Sequence, residues 1–96
     1  MSFGKDLRFL MIKLLSGYYL YFDKNNMLNS DGRRLFEEIA RMLVYKHPEY
    51  KKIVSKARRN PSLENVLRVA EIFMDRSEAE RALRAGIYGP YSFGVL

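Results

Sequence analysis

Ninety-six residues, 48% hydrophobic and 29% charged, describe one globular domain with a modest core, neither two domains nor a disordered chain. The absence of cysteine excludes a disulfide framework and a thiolate metal centre, and it suits a reducing, cytoplasmic setting. The net charge of +6 is unevenly spread: residues 1–60 hold 13 Lys/Arg against 6 Asp/Glu, whereas residues 61–96 hold 4 against 5. Such asymmetry fits a directional electrostatic surface, with nucleic acid, anionic lipid or an acidic protein as the natural partners.

The pattern predicts an all-α, single-domain helical bundle of four main helices, a short fifth helix and an irregular aromatic C-terminal tail. Helix one is expected over residues 5–22, where Leu7, Leu10, Met11, Leu14, Tyr18, Tyr21 and Phe22 recur at one-face spacing. Phe9, Ile12, Leu15, Tyr19 and Leu20 widen that stripe nearly all round, so this helix is either central or shared with a second chain, as in a homodimer. Its apolar stretch, Phe9 to Leu15, is interrupted by Lys13 and followed by bulky aromatics in place of a small-residue cleavage site. It reads as core, neither a signal peptide nor an integral membrane segment. Gly17 is its weak point.

The polar stretch DKNNMLNSDG, Asp23 to Gly32, is a connection. Helix two is expected over 33–46, capped by Asp31 or Ser30, with Leu35, Phe36, Ile39, Ala40, Met42 and Leu43 inward. His47-Pro48 ends it. Helix three, 49–59, carries Tyr50, Ile53, Val54 and Ala57 on one side and cations on the others. Asn60-Pro61 restarts the chain into helix four, 61–75, with Leu63, Val66, Leu67, Ala70, Phe73 and Met74 as its stripe. Ser77-Glu78-Ala79-Glu80 fits a capping box, which opens a fifth helix over 78–85 that Gly86 is expected to stop. The tail IYGPYSFGVL, 87–96, has no charged side chain and is rich in aromatics. Either it folds back over the bundle, or it docks on a partner through Tyr88, Tyr91 and Phe93.

The chemistry-bearing residues are few. His47 is the single histidine, and it lacks the partners that a nucleophile–base–orienter set requires, so no enzyme is expected. One imidazole and no thiolate leave no zinc or iron ligand set, and no metal or other cofactor is expected. Asp23 to Arg34 begins like a calcium loop, but the fifth, sixth and twelfth positions are Met27, Leu28 and Arg34. A DNA-reading helix-turn-helix built from helices four and five would meet phosphates with Glu78 and Glu80 at its leading end.

The basic run PEYKKIVSKARRNP stands apart. Lys51, Lys52, Lys56, Arg58 and Arg59 face one acid, Glu49, and Lys52, Ser55, Lys56 and Arg59 are helical neighbours. Arg33, Arg34 and Arg41 on helix two extend the band if the two helices pack side by side. The expected role is non-enzymatic binding of DNA or RNA, mainly through backbone phosphates. The alternative is a protein-binding or self-assembling module, inhibitor-like, immunity-like or a small subunit of a complex, that uses helix one and the tail.

Overall fold

Asn29 is the residue on which two helices turn. Its side-chain oxygen accepts a hydrogen bond from the Gly32 N–H at 2.8 Å and so caps the helix that follows. Its side-chain amide donates to the Leu20 carbonyl at 2.9 Å, and its backbone N–H donates to Tyr21 O at 2.9 Å, closing the helix that precedes. The computed structural model describes the backbone of residues 4–95 and the side chains of residues 4–88. Among these residues the chain is all helical: α1 (Lys5–Ser16), α2 (Tyr18–Tyr21), α3 (Ser30–Lys46), α4 (Lys51–Arg59), α5 (Leu63–Ala70) and α6 (Arg76–Val95), with a 3-10 turn at Pro48–Tyr50 ahead of α4. None of these helices is long and apolar enough to cross a membrane.

α1 is the central element. Leu7, Met11, Leu14 and Leu15 are each 2% exposed or less and sit in one core with Ile39 and Leu43 of α3, Val54 and Ala57 of α4, Val66 and Val69 of α5, and Ala79 of α6. α1 runs antiparallel to α3: its first turn shares a cleft with Met42–His47, and the α2 end of the pair shares another with Asp31–Leu35. It runs alongside α6 in the same direction. Arg8 pairs with Glu78 at one end, and Gly86 lies against the Leu15 and Ser16 carbonyls at the other.

Two isolated bridges, Phe22 with Leu28 and Met27 with Ser62, replace any sheet among the described residues. They belong to a tie between two connections. Leu28 N donates to Pro61 O at 2.9 Å, and Leu63 N donates to Asn26 O at 2.8 Å. Asn65, 6% exposed, completes the corner by donating from its amide to Asn60 O at 2.8 Å. Because these groups satisfy each other, a buried polar corner costs little and fixes where α4 ends.

Several expected boundaries differ. Helix one breaks at Gly17, whose φ of −97° and ψ of 35° leave the helical region, so 5–22 becomes α1 and α2. Helix two starts three residues early because Asn29 caps it, ahead of both Ser30 and Asp31. α5 is capped by Ser62, which accepts from Asn65 N at 3.2 Å, so Asn60 and Pro61 lie outside the helix. It ends at Ala70, and residues 71–74 are turn.

The largest correction concerns the fifth helix and the tail. α6 begins at Arg76, ahead of the expected capping box, and continues through Gly86 to Val95 where an irregular tail was expected. Arg76 anchors the start by bonding Glu71 behind it and Glu80 Oε2 ahead of it at 3.1 Å. Those two carboxylates, Glu71 first, hold its guanidinium above the ordinary arginine value. Gly86 is not a stop signal. A Cβ there would sit 2.5 Å from Leu15 O and 2.8 Å from Ser16 O, so the glycine lets α6 pass the end of α1 at backbone contact. Pro90 falls within α6 and supplies no backbone N–H to it.

Gly86→Val is therefore expected to destabilise by about 1–3 kcal/mol through overpacking. Thermal unfolding should show this as a midpoint lowered by about 4–8 °C per kcal/mol. An unchanged midpoint would mean that the two helices do not approach this closely.

Candidate nucleic-acid interface

α4 is nine residues long, below the length at which an isolated helix is stable in water. It holds its shape by burying Val54 and Ala57, both fully covered, with Tyr50 and Ile53 partly buried beside them. That orientation turns the opposite side outward. Lys51, Lys52, Ser55, Lys56 and Arg59 together line one shallow concavity of about 520 Å³ whose lining contains no carboxylate. Lys51, Lys52, Lys56 and Arg59 are exposed, and none of the four makes an ion pair or side-chain hydrogen bond among the described residues. Four like charges on two and a half turns repel one another, and an anion placed among them relieves that repulsion.

The other four expected contacts are arranged differently. Arg58 lies on the flank of α4 that faces α3 and holds Glu37 with both ends of its fork, Nε to Oε1 at 3.0 Å and Nη2 to Oε2 at 2.8 Å. Arg41 approaches the same carboxylate at 4.0 Å. Arg34 bonds Asp31 at 3.2 Å. Arg33 lines the seam between α3 and α4, beside Glu37 and Arg58. So the structure brings Lys51, Lys52, Lys56 and Arg59 together, and it matches the charges of Arg58, Arg41 and Arg34 with acids. Tyr88 is 60% exposed on α6. Tyr91 and Phe93 fall on the last turns of that helix, and their side chains lie outside the described residues.

His47 sits at the corner between α3 and the 3-10 turn, its Nδ1 3.7 Å from Glu49 Oε2 and its ring 6.3 Å from that of Tyr50. Among the described residues no three His, Cys, Asp or Glu side chains gather as a metal site.

Sequence reasoning missed a second concavity. The first turn of α1 and the last turn of α3 enclose a cleft of about 450 Å³, lined by Lys5, Asp6, Leu7, Met42, Tyr45 and Lys46 together with Gly4 and His47. Tyr45 is 86% exposed there. The one signal in the sequence was an aromatic residue standing opposite the inward stripe of α3.

Comparison with protein-family models, with curated proteins and with solved structures finds no match for the chain.

The Arg58–Glu37 pair is half-exposed at both ends, so its coupling is expected to stay below about 1 kcal/mol. A double-mutant cycle with Arg58→Ala and Glu37→Ala, read by urea unfolding, measures it. A coupling of several kcal/mol would show that the pair is a structural anchor and not a surface contact.

Proposed function

We propose that the protein binds nucleic acid without chemistry, gripping backbone phosphates with Lys51, Lys52, Lys56 and Arg59 of α4. The observation that carries this reading is the concavity on α4, where four unpaired cations converge and no carboxylate lines the wall. Arg33, Arg34 and Arg41 add to the potential around it. Arg34 and Arg41, however, are each matched to an acid on α3 and are auxiliaries at most. Lysines are compact point charges that neutralise phosphate without the planar fork that reads a base edge, so the grip follows charge and not sequence.

Affinity should fall linearly with salt on a double-logarithmic plot, with a slope of about −0.9 for each duplex phosphate neutralised. Replacing Lys51, Lys52 and Lys56 together by glutamine should flatten that slope by about 0.9 per lysine removed. The melting midpoint should barely move, because all three side chains are exposed. A triple variant that binds like the parent would remove these lysines from the site.

One observation favours a second reading, a self-assembling or protein-binding module. Phe9 is 66% exposed and Leu20 67%, both on the outward side of the α1–α2 segment, where isolated apolar side chains gain by being covered. In that reading the mass in solution is twice the chain's 11.3 kDa, and Phe9→Asp with Leu20→Asp returns it to one copy. Light scattering at the same concentrations decides between the two states.

A further inference from the structure

The cleft between the first turn of α1 and the last turn of α3 has the chemistry of a base site. Its walls are apolar at Leu7 and Met42 and aromatic at Tyr45, and Lys5 and Lys46 stand at its edges. Among the described residues of the lining, Asp6 is the one acid. Small-ligand sites share this make-up: mostly apolar walls, a few placed polar groups and a volume of several hundred cubic ångströms. An 86% exposed tyrosine beside two cations is also the pairing that single-strand binders use, an aromatic face for the base and positive charge for the phosphate.

The cleft is close to the α4 concavity along the chain. Lys46 borders one and Lys51 the other, five residues apart, and the His47-Pro48 corner with its 3-10 turn lies between. Even fully extended, five residues span at most about 18 Å. That is shorter than the strand of about 4–16 nucleotides that one small binding fold covers.

We infer that the preferred ligand is a single strand, with an unpaired base stacked on Tyr45 in the α1–α3 cleft and the adjoining phosphates on Lys51, Lys52, Lys56 and Arg59. This deepens the phosphate-binding reading of α4 and rests on it. A duplex keeps its bases stacked on each other and offers none to Tyr45, so the cleft selects for strandedness while α4 supplies charge. Asp6 is an acceptor for a base amino group such as cytosine N4. Lys5 and Lys46, which line the same cleft, offset its charge toward a polyanion.

The chain contains no tryptophan, so Tyr45→Trp introduces a single indole reporter at the proposed stacking position. Single-stranded DNA and RNA oligonucleotides of about 16 nucleotides, and a duplex of the same length, serve as probes at low salt. The indole is expected to be quenched by the single strands and not by the duplex. Tyr45→Ala should weaken single-strand binding about tenfold or more, and Tyr45→Phe should retain it, with duplex binding within about twofold of the parent in both variants. Single-strand binding by Tyr45→Ala at parent affinity, or an unquenched indole at saturation, overturns the base site. If that happens while the α4 triple-glutamine variant still loses binding, phosphate binding on α4 stands and only the cleft assignment falls. If neither single strand nor duplex binds the parent, both fall. DNA and RNA responding alike identifies the base as the recognised group, whereas binding of only one assigns the discrimination to the sugar and leaves the stacking assignment standing.

Discussion

The burial of Val54 and Ala57 is the constraint behind the candidate interface. A nine-residue helix carrying five cations has no stability of its own, since neither its length nor its charge favours the helical state. Two small side chains hold it against the core, and both are fully covered. Small residues allow the α4 backbone to come close to its neighbours, and the tie between Leu28 and Pro61, with Asn65 clasping Asn60, sets the point at which the helix must stop. The outward direction of Lys51, Lys52, Lys56 and Arg59 follows from these contacts. Lost packing beneath α4 would therefore disperse the cations even with every lysine in place.

Charge pairing then sorts the basic residues by which side of α4 they occupy. Glu37, on the facing side of α3, takes the fork of Arg58 and draws Arg41 toward the same oxygens. Lys51, Lys52, Lys56 and Arg59, on the far side of α4, make no ion pair among the described residues. The C-terminal part of the chain is arranged more evenly. Glu64 holds Arg68 at 2.8 Å, Glu71 and Glu80 hold Arg76, and Glu78 holds Arg8 of α1. Most acids of residues 61–96 are thus spent on ion pairs, while several cations of residues 1–60, the four on the outer face of α4 among them, make none among the described residues. Exposed pairs of this kind add little stability, but they remove charge from those surfaces and sharpen the contrast with α4.

Much of the fold was legible because amphipathic periodicity survives into the structure. The stripes read on α1, α3, α4 and α5 are largely the buried ones, and the buried side of α4 was assigned correctly down to Val54 and Ala57; Met42, expected inward on α3, is instead 38% exposed at the rim of the α1–α3 cleft. Boundaries were less legible because each is set by a side chain bonding a backbone group elsewhere. Asn29 outcompetes Ser30 and Asp31 as a cap because it also closes α2, a long-range benefit that spacing does not display. Gly86 looked like a helix terminator because local rules give glycine that role. The close pass of α6 over the Leu15 carbonyl is a tertiary fact. The neutralisation of Arg58 was hidden for the same reason, since its partner lies 21 residues away on another helix. The α1–α3 cleft was hidden because its walls come from opposite ends of two antiparallel helices.

Short-range and long-range information also divide the candidate site itself. The basic α4 face is local: five positions on one helix, visible as a pattern in the sequence. The cleft is assembled by topology, since only the antiparallel docking of α1 on α3 brings Leu7 and Lys5 beside Met42, Tyr45 and Lys46. A surface made of lysine alone gives an affinity that salt erodes and almost any polyanion satisfies. Discrimination needs a shaped, partly apolar feature next to the charge, where a wrong ligand leaves its walls uncovered or its own polar groups desolvated. The His47-Pro48 corner joins these two features along the chain: it ends α3 just after Tyr45 and Lys46, and it starts the turn that delivers Lys51. A proline at that bend fixes one backbone angle of the link, which limits the freedom of the segment between the cleft residues and α4.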